Sequence, residues 1–217
     1  MNLQSTLDFL RDLAENNNKA WFEEHRASYQ KARSAFEDLT AEVIGRFDDV
    51  DDLYGVRPQD CMFRINRDIR FSKDKSPYKV QMGALIAPGG RKPTGRSYYV
   101  QVQPGGSMIA GGLYDPDSKT VEKVRQQILA DARPLRKLLA APDFVKYFGT
   151  MQGETLKTAP AGYDKTHPAI DLLRYKQFVA IHDLTDEVAC APDFVGHVIQ
   201  VCKALKPFVG YFYSITG

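Results

Sequence analysis

Charge gathers between positions 64 and 79, where six basic residues (Arg64, Arg67, Arg70, Lys73, Lys75 and Lys79) stand against Asp68 and Asp74, a local excess of +4. Residues 62–71 also alternate in polarity. A strand over them would put Phe63, Ile65, Ile69 and Phe71 on one face and Arg64, Asn66, Asp68 and Arg70 on the other. Arginine's planar fork suits a carboxylate or phosphate, and Lys73 and Lys79 add point charges. Tyr78 is available to hydrogen-bond or to stack. The chemistry implied is recognition of a small anion. Arg64 and Arg70 share a face but lie about 20 Å apart on a flat strand, so one ligand cannot take both. The expected division has Arg70, followed by three lysines, binding the anion while the other arginine holds Asp68. A plainer reading of the same residues is a solvated sheet face on which Asp68 pairs with its arginines.

A later group centres on His167, with Lys157, Asp164 and Lys165 close by and Arg174 and Lys176 following. Histidine can serve as acid, base or anion donor near neutral pH. A histidine before a proline can also simply order a loop. His167 and Lys176 are the expected late contributors to the anion site. Residues 151–168, rich in Gly, Pro and Thr, read as a long loop and its natural lid. His182 and Asp183 lack the companions a metal ion needs, so no metal is expected, and no cofactor. Cys61 precedes the basic segment, where cations favour a thiolate, but it has no companion base. The Walker loop, the dinucleotide glycine fingerprint, HExxH and GxSxG are absent, and the Gly-rich 89–95 has the wrong order for a P-loop. These residues leave catalysis itself open.

Two functions fit. One is a concave site for a phosphate- or carboxylate-bearing small molecule. The other is a non-catalytic interaction module whose basic strand meets an acidic partner or a nucleic-acid backbone on a flat, salt-sensitive surface. A net charge of +2 and a pI near 8.3 fall short of a dedicated nucleic-acid binder.

The elements that must position these residues follow from periodicity. Leu7, Leu10, Leu13 and Ala14 share a helical face over residues 5–15, with Ser5 or Thr6 as cap. Phe22, Tyr29, Phe36, Leu39, Val43 and Phe47 predict a long helix over 19–46, capped by Asn18 and covering a sheet. Strands are predicted over 62–71, 81–87, 98–103, 108–113 and 176–183, with a hairpin turn at Pro104 to Ser107. Gly111 and Gly112 inside a strand suggest a bulge, or a backbone that something approaches closely. Helices are predicted over 118–129, 134–140 and 194–205, the last kinked or ended by Pro207. The pentapeptide shared by 141–145 and 191–195 is a helix-start signal, not a duplication. Without an alternating βαβ pattern, the fold expected is one α+β domain over residues 1–217: a mainly antiparallel sheet with helices on its apolar face.

With 217 residues, 43% of them hydrophobic and 26% charged, the chain can bury a full core without staples. Its three cysteines, Cys61, Cys190 and Cys202, form no paired framework and read as reduced thiols. No secretory leader or apolar run of membrane-spanning length is legible, so a cytoplasmic protein with no membrane partner is expected.

The chain resembles the family called domain of unknown function 2461. The likeness rests on residues 17–22 with Arg26 and Tyr29, on the 64–79 run, and on Leu156, Lys157, Pro160, Gly162, His167, Pro168, Leu172, Leu173, Arg174 and Lys176. It spans nearly the whole chain in order. The resemblance implies an α+β domain and, as the name says, transfers no activity, cofactor or catalytic residue. Where the family's late motif is expected to read Asp-His-Pro, this chain has Lys165, Thr166, His167 and Pro168. An acidic partner for the histidine would have to be Asp164.

Overall fold

The computed structural model describes residues 3–217. The chain opens with α1 (Gln4–Glu15), α2 (Lys19–Glu24) and α3 (Arg26–Gly45). Because α1 already starts at Gln4, Ser5 and Thr6 lie inside it. The buried Thr6 hydroxyl donates to the Ala32 carbonyl of α3 at 3.2 Å. Asn18 does cap α2, accepting from the Trp21 N–H at 3.0 Å. The single helix expected over 19–46 is broken at His25. Its imidazole stacks on Trp21 with centroids 4.1 Å apart, and its Nδ1 faces the Trp21 carbonyl. The break frees α2 to carry Phe22 against Tyr78, while α3 keeps Phe36, Leu39 and Val43 in the core.

A short 3-10 turn (Phe47–Asp49) and α4 (Pro58–Cys61) lead to the sheet. Its strands β1 (Met82–Ile86), β2 (Tyr98–Val102), β3 (Ser107–Leu113) and β4 (Phe178–Leu184) lie in the order β1-β2-β3-β4, all antiparallel. Between β3 and β4 come α5 (Ser118–Ala130), α6 (Arg133–Leu139), α7 (Pro142–Phe148) and α8 (Ile170–Leu173); α9 (Asp186–Ala189) and α10 (Phe194–Thr216) end the chain.

The register sorts side chains into two faces. Ala84, Val100 and Ile109 align on the core face and are almost fully buried. Leu85, Tyr99, Ala110 and Ile181 align in a row on the opposite face, each only partly buried. α10 packs on β3 and α3 on β1, as expected of the two longest helices.

Pro207 does not end α10, which runs on to Thr216. Beyond it Phe208, Val209 and Phe212 are buried, each contributing about 1.5–3 kcal/mol, which outweighs the roughly 3 kcal/mol an internal proline costs. The glycine pair in β3 is no bulge, since Gly111 pairs with Ala180 and Gly112 with Val179 without interruption. It permits close approach: a Cβ on Gly111 would lie 2.8 Å from side-chain atoms of both Leu205 and Val209.

The start of the expected lid is tied down. Gln152 bridges Val179, Leu156 N–H donates to the Arg174 carbonyl at 2.8 Å, and the Tyr175 hydroxyl donates to the Met151 carbonyl at 2.9 Å. Residues 151–156 form a strap beside 174–179. One hydrophobic core joins all these elements into a single α+β domain. Among the described residues no helix is long and apolar enough to cross a membrane.

Candidate anion-binding cleft

The basic segment folds as a necked loop in place of the expected strand over 62–71. Met62 bridges Ala84 at the edge of β1, and Phe63 N–H donates to the Gly83 carbonyl at 2.9 Å. Residues 65–67 then pair with 77–79: Lys79 N–H donates to the Ile65 carbonyl at 2.8 Å and Arg67 N–H to the Pro77 carbonyl at 2.9 Å. The neck holds because Ile65 and Tyr78 are buried, Tyr78 stacking on Phe22 with centroids 3.9 Å apart. Phe63 and Phe71, which a strand would have buried, are 41% and 95% exposed.

Asn17 clamps this neck from the N-terminal helices. Its amide donates to the Tyr78 carbonyl at 2.9 Å and its carbonyl oxygen accepts from the Tyr78 N–H at 3.1 Å, like a strand partner. Removing both bonds in Asn17→Ala is expected to cost about 2 kcal/mol, at about 1 kcal/mol per hydrogen bond. Urea unfolding measures the loss, and an unchanged midpoint would mean that the clamp is idle.

Within the loop most charges satisfy one another. Arg67 pairs with Asp74 and also donates to the Ser76 carbonyl. Arg70 holds Asp68 through Nε at 3.0 Å and Nη2 at 2.7 Å. The expected division of labour is therefore reversed: Arg70 is the arginine that holds Asp68. The reason is local, since the turn at 68–70 also brings the Arg70 N–H to Asp68 Oδ1 at 3.3 Å, so backbone and side chain of one residue hold the carboxylate together. Lys75 donates to the Ile69 carbonyl at 3.0 Å. Hydrogen bonds from Ser76, then Arg67, bring the Asp74 carboxyl down to about 2. Among the described residues, the side chains of Arg64, Lys73 and Lys79 form no ion pair or hydrogen bond.

The late candidates sit elsewhere. Lys176 pairs with Glu154, in the strap that extends beyond β4. His167 accepts from the Ala169 N–H at 3.1 Å through Nδ1, ordering the turn into α8. Asp164 accepts from Thr166, through its backbone N–H and its hydroxyl, both at 2.8 Å. The loop neck leads into β1 at one edge of the sheet, and Lys176 precedes β4 at the other. Three strand spacings, about 14 Å, separate those edges, so the two groups do not converge.

Arg64 instead lines a cleft of about 460 Å³ together with Arg33 of α3 and Arg91 of the turn after β1. Gln59, Asn66, Gln81 and Tyr29 add polar groups, and Phe36, Met62 and Met82 form an apolar floor. Arg91 is oriented by donating to the Gln59 carbonyl at 2.7 Å and to the Met62 carbonyl. Arg33 has Glu37 at 3.5 Å, and Glu37 also accepts from the Gln59 amide. Asp68 attracts Arg64 and Asp60 attracts Arg91 from beyond ion-pair distance, and none of these three carboxylates lines the cleft. Lys79, beside the cleft, is held below its ordinary pKa by burial and then by the Arg64 charge. Burial raises the Tyr29 phenol, against the pull of Arg33 and Arg26. Unpaired N–H donors around an apolar floor suit a planar or tetrahedral oxyanion.

Of the residues expected at an anion site, only Arg64 lies in this cleft, with Lys79 at its margin. Arg33 and Arg91 were not legible as partners. The one available signal was Arg91's place in the Gly-rich basic turn 89–95. Cys61 is buried and its thiol pushed up by that burial, the opposite of an activated thiolate. All three cysteines are free thiols. Among the described residues no three or more His, Cys, Asp or Glu side chains gather as a metal site.

A family model described as "Conserved hypothetical protein (DUF2461)" matches residues 5–211. No curated protein and no solved structure matches the chain.

Proposed function

Since the chain belongs to the DUF2461 family, whose description names no activity, we propose a function from its own cleft: binding of a small phosphate- or carboxylate-bearing molecule by Arg33, Arg64 and Arg91. One observation carries this reading. Arg64 lines the cleft next to two further arginines and, among the described residues, its guanidinium forms no ion pair or hydrogen bond, Asp68 attracting it only from beyond ion-pair distance. A solvated surface arginine needs no such company, and a structural one would have a carboxylate, as Arg67 and Arg70 do. Asn66 and Gln81 supply neutral donors for the remaining oxygens, and the apolar floor accepts the rest of a small molecule. The free cysteines fit a reducing, cytoplasmic setting.

Calorimetric titration with inorganic phosphate and pyrophosphate tests the proposal. A hydrogen bond to a charged group contributes about 1.5–3 kcal/mol, so Arg64→Ala is expected to weaken binding by roughly 10- to 100-fold. Arg70→Ala, which removes only a partner of Asp68, is expected to bind as the wild type does. Equal affinity in wild type and Arg64→Ala would overturn the assignment.

A further inference from the structure

Resting on the anion reading above, we infer that the ligand of this cleft is a nucleotide, with its phosphate on the arginines and its base stacked on Phe63, which Tyr99 supports edge-on. Phe63 lines the arginine cleft and leaves 41% of its surface in water. Of the large apolar side chains left exposed among the described residues, it alone lines this cleft. Its ring meets Tyr99 at 6.2 Å with planes inclined by 62°, an edge-to-face contact in which Tyr99 backs Phe63 from outside the cleft.

Tyr99 is built as a rigid support for Phe63. Its phenol end occupies the space above Gly83, where a Cβ would lie 2.5 Å from the hydroxyl oxygen. The hydroxyl donates to Gln101 Oε1 at 3.0 Å, and the Gln101 amide is fixed in turn by the Gly106 carbonyl at 2.9 Å. A ring held by its polar tip costs little to order, so Tyr99 steadies Phe63 and leaves Phe63 to present a face to a planar partner. Lys79 stands 5.5 Å from the Phe63 ring centroid and, among the described residues, forms no ion pair, so it adds positive charge beside the ring. Guanidinium groups for phosphate and an aromatic face for a base are two central elements of nucleotide recognition. A cleft of about 460 Å³ has the size of a small-molecule site, which favours a free nucleotide over a polymer.

The test is calorimetry on the full chain, at fixed ionic strength, with inorganic phosphate, ribose 5-phosphate, adenosine 5′-monophosphate and a single-stranded ten-nucleotide RNA. Adenosine 5′-monophosphate is expected to bind at least about fivefold more tightly than ribose 5-phosphate, the low end of what one stacked base contributes. Phe63→Leu keeps the apolar volume and so the fold, but removes the π face, and is expected to bring that ratio close to one. Nuclear Overhauser contacts from the adenine protons to aromatic side chains are expected in the wild type, and their absence would count against the platform even if the variant misfolded. Phosphate binding with no preference for the nucleotide would overturn the inference and leave the anion cleft standing. No binding of any phosphate would remove both. Tighter binding of the RNA, with several phosphates' worth of salt dependence, would overturn the free nucleotide in favour of a strand.

Discussion

Replacing Asp51 with alanine is expected to destabilise the protein by about 2–4 kcal/mol, the usual 3–5 kcal/mol for breaking a buried ion pair reduced because water still reaches Arg96. The Asp51 side chain is 6% exposed and that of Arg96 36%. Arg96 Nε lies 2.9 Å from both carboxylate oxygens, and the fully buried Tyr98 donates its hydroxyl to the same group. Lys206 of α10 stands 3.9 Å away and donates to the Val50 carbonyl, so this cluster joins the turn after α3, the sheet and the last helix. Removing the carboxylate orphans a buried phenol and a partly buried guanidinium together. Burial alone would raise the Asp51 pKa, but hydrogen bonds from Arg96 and Tyr98 prevail and hold it below the usual carboxylate value. A folded pKa below the unfolded one, about 3.9, means that this stability is complete above that pH. It is lost as pH falls through the folded value. Urea melts of wild type and variant at pH 7 and pH 3 measure both effects, and the gap between them is expected to narrow at the lower pH. A loss under about 1 kcal/mol at pH 7 would place the cluster among ordinary surface pairs.

Gly112→Ala is expected to be at least as damaging, on the order of 3 kcal/mol or more, because left-handed strain of about 1–2 kcal/mol adds to an overpacking cost of about 1–3 kcal/mol. Gly112 has φ +114°, and a Cβ there would sit 2.1 Å from the Phe178 carbonyl oxygen and 2.9 Å from the Phe208 ring. The first obstacle is the backbone of β4 itself, which cannot turn aside without breaking the β3–β4 ladder. Gly111→Ala is the control: it meets only the side-chain ends of Leu205 and Val209 and is expected to cost distinctly less. Thermal melts rank the two, and a reversed order would contradict the close-packing account of this strand.

How far the sequence reaches is clear from particular elements. β2 and β3 are legible because alternation and the turn glycines act over a few residues, within one hairpin. α10 is legible to Leu205 and then misjudged, since the apolar face that carries it past Pro207 is rewarded only by tertiary burial. The 62–71 alternation misleads for the same kind of reason. Its apolar residues have no sheet to lie on beyond Gly83, and Asp68 finds Arg70 locally, so the chain leaves β1 and closes on itself. Arg64 could be picked out because it sits in a basic run. Arg33 and Arg91 come from a helix and a turn distant in sequence, joined to it only by folding. No local pattern distinguishes a cleft arginine from the solvated arginines around it.

The most direct test of the cleft follows the arginines themselves. Their side-chain Nε–Hε resonances can be assigned by substitution and followed while inorganic phosphate is added at constant ionic strength. Saturable shifts are expected at Arg33, Arg64 and Arg91, with Arg70 and Arg133, already paired to Asp68 and Asp131, unmoved. Saturable shifts confined to Arg70, or only linear drift at all five, would contradict an anion site at Arg33, Arg64 and Arg91.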